Sequence, residues 1–215
     1  MRASKTGVFV SAIALIMSFP ARGGEPFNAG MKEKLPDAEY SALVALYNST
    51  SGTGWLDHTG WLDEDATSWY GVAVQGEQYD EDGNLISPGN VIWIALSSNH
   101  LAGSIPTELG VLGKLQFLYL NENNLTGAIP PELGNLTSLQ QLYLSTNQLT
   151  GAIPAELGSM SSLQQMILYE NQLSGSIPPE LGNLTNLTDL SVHTNNLSGS
   201  IPPELGGLGI CRTSH

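Results

Sequence analysis

Between Val91 and Gly206 one 24-residue unit is written out almost five times, and this repetition constrains the fold more than any other feature. Asparagine returns at Asn99, Asn123, Asn147, Asn171 and Asn195. The same step carries Leu101 to Leu197, Gly103 to Gly199 and Pro106 to Pro202, so four separate columns keep register. A period in this range with the pattern L-x-x-L-x-L-x-x-N-x-L makes each unit one coil of a solenoid. In the second coil Leu115, Leu118 and Leu120 open the unit, and the last two are spaced as one face of a strand requires. Stacked coils then pair their strands in a parallel sheet whose inner positions run from Val91, Ile94 and Leu96 to Leu187, Leu190 and Val192.

The remaining columns have structural jobs as well. After each strand the chain turns inward and leaves backbone groups without ladder partners; a buried amide side chain serves donors and acceptors together, which is the role expected of the five asparagines. The glycines of the Gly103 column suit backbone that turns with positive φ or passes close to the next coil, and the Ile-Pro that follows fixes an extended return.

Ahead of the array, the segment from Pro36 to Tyr47 reads as a helix with Tyr40, Leu43, Val44 and Tyr47 on one stripe and Asp37 as its amino-terminal cap. Trp55, Trp61 and Trp69 supply rings large enough to close the open end of a hydrophobic tube. Residues 71–74 and 90–93 read as two strands of a hairpin with turn chemistry at Asp82 and Gly83. The acidic run from Asp80 to Asn84 resembles a calcium loop in composition, yet Val91 stands where the twelfth-position glutamate belongs, so the turn reading is preferred.

The runs NNLTGAIPPELGNL (from Asn123) and NNLSGSIPPELG (from Asn195) resemble the plant-type leucine-rich repeat of receptor-like kinases, receptor-like proteins and secreted polygalacturonase inhibitors. The resemblance extends over residues 37–206 and takes in the family's W-x-G-V cap core at Trp69, Gly71 and Val72; where the family usually places cysteines this chain has Thr67 and Val74. It implies an α/β fold: a leucine-rich-repeat solenoid with a parallel concave sheet, about five coils, and a helix-plus-hairpin amino-terminal cap. The expected organisation is a signal peptide at 1–23, cap at 24–90, repeats at 91–206 and a truncated tail without a carboxyl-terminal cap at 207–215. The leader is read from Arg2 and Lys5 ahead of an apolar run at 7–19, with small residues at 21–23. That run is shorter than the roughly 20 residues a membrane crossing needs, so no membrane insertion is expected and the protein is expected to be secreted.

Removing residues 1–23 takes away three of seven basic residues and none of the 20 acids, leaving a net charge of −16. Nucleic acid and anionic membranes are poor partners for a surface of that sign, and neither is expected. The acids concentrated at Asp57, Asp63, Glu64, Asp65, Glu77, Asp80, Glu81 and Asp82 suit either a solvated face or a cationic partner. Cys211 has no second cysteine to pair with, which leaves a free thiol, an intermolecular link or a lost natural end. A dimer through the last coil is one further expectation. Six sequons, at Asn48, Asn124, Asn135, Asn183, Asn186 and Asn196, are candidate glycosylation sites, and none is a ladder asparagine.

No constellation for catalysis stands out, and no cofactor or metal is expected. Glu122 and Glu170 share a column two coils apart, roughly 10 Å, near the wide limit for inverting glycosidase carboxylates, but nothing around them suggests a sugar cleft. What remains is the outward face of the strands: Trp93, Phe117, Tyr119, Gln141, Tyr143 and Gln165, extended one step along the strand by Tyr169 and His193, with Glu122 as a further binding candidate. Clustered aromatic residues on a surface point to a partner; for Trp93 and Phe117 cover by the cap is an equal alternative. The floor they form is on the order of 400 Å², enough for a short peptide, a glycan or part of a larger protein interface. The function expected is a secreted, non-catalytic recognition module for a peptide, protein or glycan, the alternatives being a structural, wall-associated or ice-facing repeat protein or a fragment of a receptor-like kinase ectodomain.

Overall fold

The structure, a computed structural model, describes residues 35–62, 69–80, 83 and 85–208. The leader at 1–23, Asp63, Glu64, Asp65, Thr67, Glu81, Asp82, Asn84 and Cys211 lie outside the described residues.

Each repeat makes one coil with three sides. The first side is a strand: β4 (Asn90–Ala95), β6 (Phe117–Tyr119), β8 (Gln141–Tyr143), β10 (Gln165–Ile167) and β12 (Asp189–Ser191). They pair in parallel and in strict repeat register, Ile94 beside Leu118, Leu142, Met166 and Leu190. The second side was not anticipated from the sequence. The segments between the ladder asparagine and Ile-Pro form their own parallel sheet from β5 (Ala102–Ser104), β7 (Asn124–Ala128), β9 (Gln148–Gly151), β11 (Gln172–Gly175) and β13 (Asn196–Leu197). The third side is a 3-10 turn, as at Pro131–Asn135 and Ala155–Ser159. Leucine from all three sides meets in the centre: Leu118, Leu125 and Leu133 are fully buried, with Ile129 at 1% exposure.

The asparagine ladder is built as the sequence requires. Asn123 Oδ1 accepts from the amides of Asn99 and Leu101, both at 3.0 Å, and its Nδ2 donates to the carbonyls of Leu96 and Leu120. Asn147, Asn171 and Asn195 repeat the pattern one coil on, accepting from Leu125, Leu149 and Leu173. Asn99 has no repeat before it and uses the cap instead: its Oδ1 accepts from the Asp57 amide at 2.7 Å and its Nδ2 donates to the Asp57 carbonyl at 2.8 Å.

The cap closes both sheets. Helix α1 spans Asp37–Ser49 and buries Ala42, Leu43, Leu46 and Tyr47. Asp37 is its first residue rather than its cap; Pro36 holds the cap position and no side chain bonds the free amides, so Asp37 acts only through its charge near the helix terminus. Strand β1 (Val72–Gln75) runs antiparallel to β4, pairing Val72 with Ile94, which is the expected hairpin. A second short ladder, β2 (Gln78–Tyr79) with β3 (Leu85–Ser87), extends it, and the Gly83 amide donates to the Asp80 carbonyl in the turn. The edge of the second sheet is met by the end of α1, where the Thr50 carbonyl accepts from Ala102. Trp55, Trp61 and Trp69 are 4%, 5% and 2% exposed, with successive ring centroids 4.8 and 4.7 Å apart.

One buried contact has no signature in the helical stripe. Glu39, 6% exposed, takes the Asn90 side-chain amide on Oε1 at 2.8 Å and the Val91 backbone amide on Oε2 at 2.7 Å. A carboxylate therefore pins α1 to the start of the first repeat strand, and charge-assisted bonds of this kind are about twice as strong as neutral ones. At the other end burial falls away: Leu190, Val192 and Leu197 are only partly buried and Ile201 is 74% exposed, while Met166, Leu168 and Leu173 one coil earlier are fully buried and Ile177 is partly so.

Candidate functional site

With Leu118, Leu142 and Met166 pointing inward, the alternate positions of the first sheet must point out. Two outward rows result. One runs Trp93, Phe117, Gln141, Gln165, Asp189, and the other Ala95, Tyr119, Tyr143, Ile167, Ser191. Strand spacing brings rings in successive coils into contact. Trp93 packs on Phe117 with centroids 4.5 Å apart and meets Tyr119 edge-on at 5.2 Å; Tyr119 stacks on Tyr143 at 4.7 Å and 26°. The phenols are held as well: Tyr119 donates to Gln141 Oε1, and Tyr143 donates to Gln165 Oε1 at 2.5 Å. Six of the eight residues singled out from the sequence thus form one belt across four coils.

Trp93 needs a correction of role. At 8% exposure it offers almost no surface, because the Phe117 and Tyr119 rings lie against it. It supports the belt, and the part open to a ligand begins at the half-buried Phe117. Tyr169 lies one step beyond the strand and stacks on His193 at 4.8 Å and 7°, a second, separate ring pair.

Glu122 and Glu170 stand on the rim, for a reason the sequence hides. The residue before each ladder asparagine is left-handed: Ser98, Glu122, Thr146, Glu170 and Thr194 have φ between 53° and 58°. This is strained for residues other than glycine. The turn throws these side chains outward, where Ser98 Oγ donates to Glu122 Oε2 at 2.7 Å and Thr146 Oγ1 to Glu170 Oε2 at 3.0 Å. Each carboxylate is thus tied to a hydroxyl of the preceding coil. The six sequon asparagines are all exposed, whereas the ladder asparagines are buried or half-buried.

Burial holds the Tyr119 phenol well above its usual range, with Tyr143 adding to the effect. Burial likewise raises Tyr143, and the charge of Asp189 raises it further. In the unfolded chain both would ionise near pH 10. Above that pH the unfolded state has released protons that the folded state retains, so stability is full below the ordinary phenol range and falls as pH rises through it. An alkaline titration followed by phenolate absorbance is expected to show a late-ionising component that Tyr119→Phe with Tyr143→Phe removes. Ionisation of all tyrosines together would contradict the packing of the belt.

A family model described as a leucine-rich repeat region matches residues 93–205. Among solved structures, the chain is similar to the BIR3–SERK2 complex from Arabidopsis thaliana, at 33% identity over 82% of this chain and 94% of that one, with a TM-score of 0.62. It is also similar to the ectodomain of the plant membrane receptor kinase GASSHO1/SCHENGEN3 from Arabidopsis thaliana in complex with CASPARIAN STRIP INTEGRITY FACTOR 2: 44% identity, 54% of this chain, TM-score 0.53. A plant ice-binding protein matches at 29% identity over 81% of this chain and 53% of that chain, with a TM-score of 0.65. No curated protein matches the chain. The chain belongs to the leucine-rich repeat family and is of the plant type found in receptor-kinase ectodomains. It spans 14% of the length of the GASSHO1 ectodomain. Among the described residues no helix is long and apolar enough to cross a membrane.

Proposed function

We propose that the protein is an extracellular, non-catalytic recognition module that holds an extended peptide or protein segment across the belt from Phe117 to Tyr143. The observation that carries this reading is the packed row of outward rings with glutamine-bonded hydroxyls at its edge. Such a surface is rigid before a ligand arrives, so little ordering entropy opposes binding. The GASSHO1 ectodomain, which shares 44% identity over the matched half of this chain, is in complex with CASPARIAN STRIP INTEGRITY FACTOR 2. The BIR3–SERK2 complex supports protein partners as the ligand class in the same way.

Selection of a displayed random 12-residue peptide library on the immobilised chain tests the site. Clones recovered on the parent are expected to be lost on Tyr119→Ala with Tyr143→Ala, whose fold is checked by circular dichroism. They should be kept on Glu156→Gln with Glu180→Gln, both on exposed 3-10 turns. Loss on the glutamate pair with retention on the tyrosine pair would move the site off the belt. For the extracellular part of the reading, intact mass of protein secreted by a eukaryotic host should correspond to removal of residues 1–23 with glycan added at some of the six exposed sequons. A full-length, unglycosylated mass would count against it.

A second reading has an observation of its own. On the second sheet Thr126, Thr150, Ser174 and Ser198 repeat every coil, flanked by Asn124, Gln148, Gln172 and Asn196, all exposed and uncharged. This regular polar face, together with the likeness to a plant ice-binding protein, supports an ice-facing role. Unimpaired ice recrystallisation in the presence of the protein would remove it.

A further inference from the structure

The chemical class of the peptide can be narrowed, on the footing that the belt is the binding face. Among the described residues Lys114 is the single lysine or arginine. It sits ahead of β6, at the edge of the sheet opposite the rim formed by the residues before the ladder asparagines. The outward rows and their rim carry only negative formal charge: Asp189 at the end of the Phe117 row, and Glu122 and Glu170 on the left-handed turns. Among the described residues no basic side chain neutralises any of the three. Their hydrogen-bond partners are neutral: the Ser98 hydroxyl and, at 3.4 Å, the Asn121 side-chain amide on Glu122, Thr146 on Glu170 and Ser191 on Asp189, the last at 3.1 Å. Neutral donors fix the carboxylates in place and leave the charge standing.

The rings work in the same direction. The face of a tyrosine or tryptophan ring is electronegative and attracts lysine ammonium and arginine guanidinium groups. A belt of such rings bordered by carboxylates is doubly suited to a cation and doubly unsuited to an anion, since an acidic peptide would meet like charges with nothing to pair them. Burial holds the Tyr143 phenol above its usual range, and the nearby Asp189 charge adds to that.

We infer that the outward face of the first sheet selects a basic extended peptide, one whose lysine or arginine side chains cross the Phe117, Tyr119 and Tyr143 rings toward Glu122, Glu170 and Asp189. A neutral or acidic segment is the partner this face discriminates against.

The library selection is read a second way to test this. Recovered clones are expected to be enriched in lysine and arginine over the input library, and synthetic 12-residue peptides made from them should bind more weakly as salt is raised. Replacing the three carboxylates together (Glu122→Gln, Glu170→Gln, Asp189→Asn) should weaken those peptides about tenfold, as the loss of several exposed charge pairs implies. The matching change on the 3-10 turns (Glu156→Gln, Glu180→Gln, Glu204→Gln) should alter affinity less than about twofold, because attraction by a distant charge is screened. Equal weakening by the two triples would overturn the inference in favour of general attraction to an acidic protein. Clones without basic enrichment that are still lost on the tyrosine double variant would overturn the charge preference and leave the belt as the site. Clones indifferent to the tyrosines, or none recovered, would overturn both.

Discussion

Replacing Asn123 by alanine is expected to lower the melting temperature by roughly 5–15 °C, the largest loss of any single ladder position. Two backbone donors, the amides of Asn99 and Leu101, lose their acceptor, and the carbonyls of Leu96 and Leu120 lose a donor. These groups lie under the turn, and each stranded buried group costs about 1–3 kcal/mol. The size of the effect should follow burial and bonding along the ladder. Asn195, half-buried in the last coil and accepting from Leu173, should cost less than half as much. A melting curve for Asn123→Ala that superimposes on the parent would mean the ladder is decoration rather than support.

The second large effect is expected from a glycine. A Cβ added at Gly158 would lie 2.4 Å from the Glu180 carbonyl oxygen and 2.7 Å from its carbonyl carbon. Both are backbone atoms of the next coil, so no side chain can swing aside and the two coils must part. Gly158→Ala should therefore destabilise by about 1–3 kcal/mol, as overpacking does elsewhere. Gly206 in the same column provides the control, because nothing lies within 4 Å of a Cβ built there. Gly206→Ala should be neutral or stabilise by about 0.4–1 kcal/mol through the unfolded chain. Equal melting temperatures for the two variants would show that the 3-10 turns are not in the close contact described.

That pair of glycines also shows where reading the sequence stopped short. Leucine and asparagine columns were legible because each has one demand that one residue type meets: an apolar side chain toward the core, an amide under the turn. Glycine meets two demands, and the sequence does not separate them. The sequence suggests either for the Gly103 column; in the structure Gly127, Gly151 and Gly175 are left-handed turns with ordinary space around them, and in that column only Gly103, beside the Ser49 carbonyl of the cap, has backbone packed closely against it. The close approach to the next coil falls on Gly110, Gly134, Gly158 and Gly182, each against a glutamate of the following coil.

The second sheet was hidden for a related reason. Segments such as Gln148–Gly151 and Gln172–Gly175 have a single inward leucine each, too short a pattern to read as a strand without the neighbouring coil beside it. Glu39 was hidden because a buried carboxylate inside an apolar stripe looks like a solvated helix residue until its acceptors find Asn90 and Val91. For the candidate site, direction was legible and depth was not. Period-two alternation placed Trp93, Phe117, Tyr119 and Tyr143 on one face, but the packing of Phe117 and Tyr119 that removes Trp93 from solvent depends on ring orientations no spacing encodes.

The bond from Asn99 to Asp57 carries a consequence for how such a chain can grow. Every ladder asparagine reaches back to the coil before it, and for Asn99 the loop at Asp57 stands in that place, presenting an amide and a carbonyl as a repeat would. In hydrogen-bonding terms the cap is coil zero, written in a different alphabet. A duplicated 24-residue unit inserted after Asn123 meets a repeat on both sides and leaves this junction untouched. The same unit placed ahead of Asn90 would separate Asn99 from Asp57 and Glu39 from its two donors, so the array cannot lengthen at that junction, and the first coil and its cap must be inherited together.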